Sequence, residues 1–172
     1  SIVMPVHNKF SVTYNGLASL LLANNDHSFE VILVDDGSTD ETLKAAKIFQ
    51  GVNLVRHDQA QGFLRSCNDG ASRAKGRYVL LLNNDVEVSD RWIDELIWPF
   101  DNFEDVGLTG SKLLYPDGRL QEAGGIVWGS GAPWNYGRNG NPADPRYSYT
   151  RQVDYLSGAS IMIPREFWEE LG

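Results

Sequence analysis

A chain of 172 residues, 42% hydrophobic and 22% charged, is long enough for one globular domain with a sizeable core and too short for two comfortable ones. Its net charge of -8, with 15 Lys and Arg against 23 Asp and Glu, disfavours broad nucleic-acid or anionic-membrane binding, because both need basic surface. The single Cys67 excludes an intrachain disulfide and a multi-cysteine zinc site; no stretch is long and apolar enough for a bilayer span, and the first residues lack a charged secretory start, so a cytoplasmic setting is expected.

Residues 2–6 are apolar and β-prone apart from Pro5, and His7-Asn8-Lys9 leads into a helix with the stripe Phe10, Tyr14, Leu17 and Leu21. Phe29 to Val34 reads as a second strand, ending in Asp35-Asp36-Gly37-Ser38-Thr39-Asp40. Ser38, Thr39 or Asp40 can cap the next helix, whose apolar face is Leu43, Ala46 and Phe49. A strand over Val52 to Val55 precedes a helix from about Gly62 to Lys75 with the face Phe63, Cys67, Ala71 and Ala74, and Gly76 ends it as a left-handed cap would. Cys67 on that stripe reads as core rather than nucleophile. The run Tyr78 to Leu82 is that of a strand buried on both faces, and polarity then switches at once to Asn83-Asn84-Asp85. Asp90 caps a fourth helix carrying Trp92, Ile93, Leu96 and Ile97, stopped near Pro99. Strands alternating with helices demand right-handed crossovers, hence an α/β fold with a mainly parallel central sheet and helices on both faces.

After Asn102 the texture changes. Val106 to Tyr115 is strand-like, Pro116-Asp117-Gly118 is a turn, and 124–149 is rich in Gly, Pro, Asn and aromatics without a helical period. An ordered loop region over the sheet edge is expected there, because Trp128, Trp134, Tyr136, Tyr147 and Tyr149 need burial or a ligand. Packing is the first reading of Trp128 and Trp134, and stacking on an acceptor sugar the second. Val153 to Ile163 returns to strand, and Pro164 opens a closing helix through Leu171. The start inside a strand and the stop at Leu171-Gly172 suggest cuts from a longer polypeptide.

A parallel sheet brings the carboxyl ends of its strands to one edge, where ligands bind in open α/β sheets. Asp35-Asp36 and Asn83-Asn84-Asp85 therefore share an edge as a candidate polar or metal-binding site; an Asx-rich turn explains either one alone but has to be invoked twice. The glycine signatures of dinucleotide-binding and P-loop sites are missing. One carboxylate can accept from a base N–H or ribose hydroxyls while another holds Mg²⁺ or Mn²⁺ against a diphosphate, so a nucleoside diphosphate linked to a transferable group fits both clusters.

Ser-Ile-Val-Met-Pro-Val-His-Asn-Lys, Val-Ile-Leu-Val-Asp-Asp-Gly-Ser-Thr-Asp, Gln-Gly-Phe with Cys-Asn-Asp-Gly-Ala, Ala-Lys-Gly-Arg-Tyr and Leu-Leu-Asn-Asn-Asp-Val-Glu-Val, in this order, resemble a family-2 glycosyltransferase of the GT-A fold. Asp-Gly-Arg-Leu-Gln-Glu-Ala-Gly-Gly and Tyr-Leu-Ser-Gly-Ala resemble its rhamnosyltransferase-like branch. The resemblance covers the whole chain and implies one catalytic domain, with 1–102 as the nucleotide-binding half and 103–172 as an incomplete acceptor-side half.

By position, it also implies that Pro5, Val6, His7 and Asp36 grip the nucleotide base, with Gly62 lining the same pocket. Asp85 would be the metal ligand, for Mg²⁺ or Mn²⁺, and Asn84 would lie near the ribose or diphosphate. Gly158 and Ala159 would lie beside the donor sugar or acceptor. Asn83 departs from the family's Asp-x-Asp motif, which makes metal dependence a question. The implied reaction is an inverting, metal-assisted transfer of a hexosyl or rhamnosyl unit from a UDP- or dTDP-sugar to a saccharide or lipid-linked acceptor, in cell-surface polysaccharide synthesis. The catalytic base is expected beyond Gly172, and Glu166, Glu169 and Glu170 read as solvated helix charges. A non-catalytic sugar-nucleotide-binding module is the alternative; a phosphoacceptor receiver domain lacks its acceptor Asp and late Lys.

Overall fold

The computed structural model describes residues 1–171. In chain order the elements are β1 (Ile2–Val6), α1 (Phe10–Leu22), β2 (Val31–Asp36), a 3-10 turn (Glu41–Lys44) running into α2 (Ala45–Ile48), β3 (Val52–His57), α3 (Phe63–Ala71), β4 (Tyr78–Leu82) and α4 (Trp92–Asn102). There follow β5 (Thr109–Gly110), β6 (Leu113–Leu114), β7 (Leu120–Glu122), β8 (Gly125–Val127), β9 (Pro133–Asn135), β10 (Ser160–Pro164) and α5 (Arg165–Leu171).

The central sheet has the order β3-β2-β1-β4-β10-β5, with β3, β2, β1 and β4 mutually parallel and β10 antiparallel to both neighbours. Because side chains alternate across a strand, Ile2, Met4 and Val6 face α1 and α4, whereas Val3 joins Ile32, Val34, Val79 and Leu81 against Cys67 and Ala71 of α3. Helices thus cover both faces, as the sequence implies. The approach of α3 is set by Gly70, where a Cβ would lie 2.9 Å from Val34 Cγ2 and nearer still to Val3 Cγ1.

Several boundaries and faces depart from the sequence reading. The buried stripe of α1 is Thr13, Gly16, Leu17 and Leu20, with Tyr14 and Leu21 left exposed. Gly16 packs on the Asn84 carbonyl, 2.7 Å from where its Cβ would be, and this contact sets the helix rotation. Leu43 is exposed because the segment after Asp40 starts as a 3-10 turn that turns Thr42 and Ala45 inward. Phe63 is exposed at the start of α3, which ends at Ala71 rather than Lys75. Gly76 is not left-handed; its N–H donates to Ser1 Oγ at 2.8 Å, and a Cβ there would collide with the Ser1 backbone.

Asp90 does not cap α4. It accepts from Asn24 N–H at 2.8 Å, and the Ile93 N–H in the first turn of α4 is met instead by Asn25 Oδ1 at 3.1 Å. Pro99 lies inside α4 rather than at its end. The strand expected over 106–115 is divided into β5 and β6, and the one over 153–163 shrinks to β10, which Pro164 closes. Within 124–149, β8 and β9 form a hairpin in the register Gly125↔Asn135 to Val127↔Pro133.

Candidate functional site

At the carboxyl edge of the sheet the loops after β1 and β2 are laced together. Asn8 and Lys9 adopt left-handed conformations, φ 56° and 59°, which turn the chain from β1 into α1. Asn8 N–H donates to Ser38 Oγ at 2.7 Å, and Asn8 Oδ1 accepts from Thr39 N–H at 2.9 Å. Lys9 gives α1 no side-chain cap. Asp40 supplies it from across the edge, accepting from Phe10 N–H through Oδ2 and from Thr42 N–H through Oδ1, both at 3.0 Å. One carboxylate therefore caps two helices. His7 Nδ1 lies 2.6 Å from the Asp36 carbonyl. A carbonyl only accepts, so that nitrogen carries the hydrogen and Nε2 is left to accept from the Asn8 amide at 3.2 Å.

Asp35 and Asp36, expected just after β2, are its last two residues, and they do different work. Asp35 is fully buried, paired with Arg56 and accepting from Ser38 N–H at 2.9 Å, so it is a structural ion pair. The Asp36 carboxylate reaches the start of α3: Oδ1 accepts from Gln61 N–H and His57 Nδ1, both at 2.7 Å, and Oδ2 accepts from Gly62 N–H at 2.8 Å. Burial alone would raise the Asp36 pKa, but these hydrogen bonds outweigh it and hold the carboxyl below its ordinary range. Gly62 has φ 90°, a conformation that disfavours side chains. His57 also contacts Asp69 Oδ2 through Nε2 at 2.9 Å, and Arg65 holds Asp69 from the next turn of α3 at 3.1 Å. A cavity of about 470 Å³ opens here, lined by His57, Asp58, Gln59, Gln61, Arg65 and Asp69.

The other half of the edge is the end of β4. Asn83 N–H donates to the Ala159 carbonyl at 2.9 Å, and Ser160 pairs with Leu82, so Gly158 and Ala159 enter β10 directly beside Asn83. Val86 N–H closes a turn onto the Asn83 carbonyl at 3.2 Å. The Asn84 amide donates to Thr13 Oγ1 at 2.9 Å, which anchors the turn to α1. Asp85 stands exposed, with no hydrogen bond to another described side chain. The Glu122 side chain is buried and accepts from Ser157 N–H; burial pushes its pKa up, and that single hydrogen bond does not offset it. Burial likewise pushes the Cys67 thiol up to about 11, which leaves it an inert core residue.

Pro5, Val6, His7, Asp36 and Gly62 thus gather at the β1–β2–α3 corner, and Asn83, Asn84, Asp85, Gly158 and Ala159 at the β4–β10 corner of one edge. The sequence profile of "Glycosyl transferase family 2" matches residues 1–171. The chain belongs to glycosyl transferase family 2. "O-antigen biosynthesis protein RfbC" of Myxococcus xanthus is 33% identical over 181 residues, spanning 100% of this chain but 14% of that protein. Among solved structures, the mannosyltransferase PcManGT of Pyrobaculum calidifontis, in complex with GDP-Man and Mn²⁺, superposes with a TM-score of 0.67 at 19% identity, over 99% of this chain and 46% of that one. S. aureus TarS 1-349 in complex with UDP-GlcNAc gives 0.52 at 24% identity, over 58% of this chain and 30% of that one. The fold is GT-A. This chain spans less than half the length of each of these proteins.

The family implies a divalent cation, and the donor set bears on it directly. Among the described residues no group of three or more His, Cys, Asp or Glu is arranged to hold a metal ion. Asp85 alone offers a free carboxylate in the turn. A single hard oxygen ligand does not retain a resident cation, but it fits one that arrives with a diphosphate and keeps most of its ligands from phosphate and water.

Sequence reasoning missed His57, whose only local signal is a titratable residue at the end of β3 opposite Asp36. It also missed Glu122, a carboxylate at an inward position of Leu120-Gln121-Glu122, and Asp94, which accepts from the Asp26 and His27 backbone and the His27 ring.

Proposed function

We propose that the chain binds a nucleoside-diphosphate sugar across the carboxyl edge of β1, β2 and β4. The sugar passes, with inversion at its anomeric carbon, to a saccharide or lipid-linked acceptor in the assembly of cell-surface polysaccharide. The observation that carries this reading is the meeting, on one edge of a family-2 fold, of the Asp36–Gln61–Gly62 corner and the Asn83-Asn84-Asp85 turn. The backbone of Pro5, Val6 and His7 with Asp36 and Gly62 takes the base, and the free lone pair of Asp36 Oδ2 accepts from a base N–H. Because the Asn84 amide is engaged with Thr13, the Asn83 side chain is the better placed of the two for ribose or diphosphate. Gly158 and Ala159, one of them without a side chain, leave room for the donor sugar. The donor is a UDP- or dTDP-sugar carrying a hexosyl or rhamnosyl unit.

Asp85, with Asn83 beside it, would hold Mg²⁺ or Mn²⁺ on the diphosphate, where the ion neutralises charge on the departing nucleoside diphosphate. The acceptor hydroxyl needs a base. Glu166, Glu169 and Glu170 do not supply it: Pro164 pairs with Tyr78, so β10 delivers α5 to the opposite edge of the sheet.

Asn83 in the first motif position favours a second reading, a sugar-nucleotide-binding module without transfer. The intact protein, incubated with UDP-, dTDP- and GDP-sugars and with saccharide and lipid-linked acceptors, separates the two. Acceptor-dependent release of one nucleoside diphosphate supports transfer; donor binding without release supports the second reading.

A further inference from the structure

The β8–β9 hairpin carries an aromatic face that packing within the chain does not explain. Ile126 lies opposite Trp134, so alternation puts Ile126, Trp128, Trp134 and Tyr136 on one face. Trp128 and Trp134 are 54% and 43% exposed, with ring centroids 6.3 Å apart and planes tilted by 39°. Behind them Trp134 meets Tyr136 edge-on at 6.3 Å, Tyr136 meets Tyr147 at 5.1 Å, and the Arg151 guanidinium lies over Tyr136 at 4.1 Å. The inner end of the ladder is anchored in the fold, while the two outer indoles are held in place and left in water. A Cβ on Gly129 or Gly131 at the hairpin tip would meet nothing within 4 Å, so the approach is open. Residues 123–137 contain no Lys, Arg, Asp or Glu; the charges that reach the hairpin are engaged, Arg151 over the inner ring of Tyr136 and Asp154 accepting from Val127 N–H at 2.8 Å, so the two outer indoles suit a neutral ligand.

The hairpin is also tied to the donor edge. Gly125 N–H donates to the Tyr155 carbonyl at 3.0 Å and the Tyr155 hydroxyl donates to Asn135 Oδ1 at 2.8 Å, and the same segment reaches Asn83 through the Ala159 carbonyl. At no more than about 3.6 Å per residue along that path, and about 5 Å for each of its two hydrogen-bonded crossings, the Trp128 backbone stands within about 35 Å of Asn83, the length of a short chain of sugar units.

We propose that Trp128 and Trp134 form a subsite for a neutral saccharide chain, the part of the acceptor remote from the reacting hydroxyl. The inference rests on the glycosyltransferase reading and names the chemistry of its acceptor. The C–H face of a pyranose is apolar and lies flat on an indole, while its hydroxyls point outward to water.

The test applies intact protein, with Trp128→Ala, Trp134→Ala and both together, to an array of neutral oligosaccharides, alongside titration with UDP, dTDP and GDP. Retention on one class of neutral saccharide is expected, falling about tenfold or more in each variant and recovering in part in Trp128→Phe and Trp134→Phe, while nucleoside-diphosphate binding persists. A protein that binds nucleotide yet is retained on no neutral saccharide, or equally with and without the indoles, overturns the subsite. Self-association of the wild type that disappears in the double variant also overturns it, by giving the face to a second copy. Failure of the wild type to bind any nucleotide overturns the donor-site reading instead.

Discussion

Replacing Asp36 by Asn preserves the shape of the side chain and removes one acceptor. In the wild type Oδ1 accepts from Gln61 N–H and His57 Nδ1 at 2.7 Å each, and Oδ2 accepts from Gly62 N–H at 2.8 Å. Asn offers one oxygen, so its NH₂ must face a donor on the other side and leave at least one buried N–H without a partner. The orphaned donor costs about 1–3 kcal/mol, and loss of the charge on the surviving hydrogen bonds adds about 1 kcal/mol. With a urea dependence of about 2 kcal/mol per M for a domain of this size, the unfolding midpoint falls by about 1–2 M. Urea unfolding followed by tryptophan fluorescence reads that shift, with an unchanged slope as the control. Nucleoside-diphosphate affinity falls with it, because the 61–62 backbone has lost its anchor. A variant that unfolds within about 0.3 M of the wild type would refute the reasoning, since the carboxylate would then not be what holds α3 to β2.

Asp40→Ala removes the caps of both α1 and the turn at Thr42; at about 1 kcal/mol per cap, thermal unfolding followed by circular dichroism is expected to drop by about 4–8 °C. Asp36, Asp69 and Asp94 all have folded pKa values below their ordinary ones: burial would raise each, and hydrogen bonds outweigh it. Their contribution is present above the unfolded carboxylate pKa and is lost as pH falls through the lower folded values, so the urea midpoint is expected to decline steeply below about pH 4. Glu122 has the opposite sign, its folded pKa raised by burial, so its ionisation costs stability as pH rises. Glu122→Gln keeps the acceptor for Ser157 N–H and loses the charge, and its urea midpoint relative to wild type is expected to be higher at pH 7 than at pH 4.

The fold was legible because its signals are local and repeated. The unbroken run Tyr78 to Leu82 and the β-branched run ending at Val34 are both buried strands, and their order with the intervening helices dictates the parallel sheet. Helix ends were harder, because the groups that cap them are distant in sequence. Asp40 caps α1 from thirty residues away and Asn25 serves α4 from sixty-eight, so inspection of the residue before each helix led to Asp90, whose carboxylate is engaged elsewhere. Faces slipped where a glycine contact outranked an apolar stripe, as Gly16 on Asn84 does for α1. The candidate site residues share one edge, as strand polarity required, but their division of labour was not legible. Asp35 and Asp36 are adjacent carboxylates, and only β3, which brings Arg56 opposite one and His57 opposite the other, separates a structural ion pair from a candidate site residue.

Calorimetric titration of the protein with UDP, dTDP and GDP, each with and without Mn²⁺ and beside Asp85→Ala, tests the central claim most directly. The account predicts that one nucleoside diphosphate binds with an affinity that Mn²⁺ strengthens, and that Asp85→Ala abolishes the effect of Mn²⁺ without altering the thermal midpoint. Absence of binding by all three nucleotides in the wild type, with and without Mn²⁺, would contradict it.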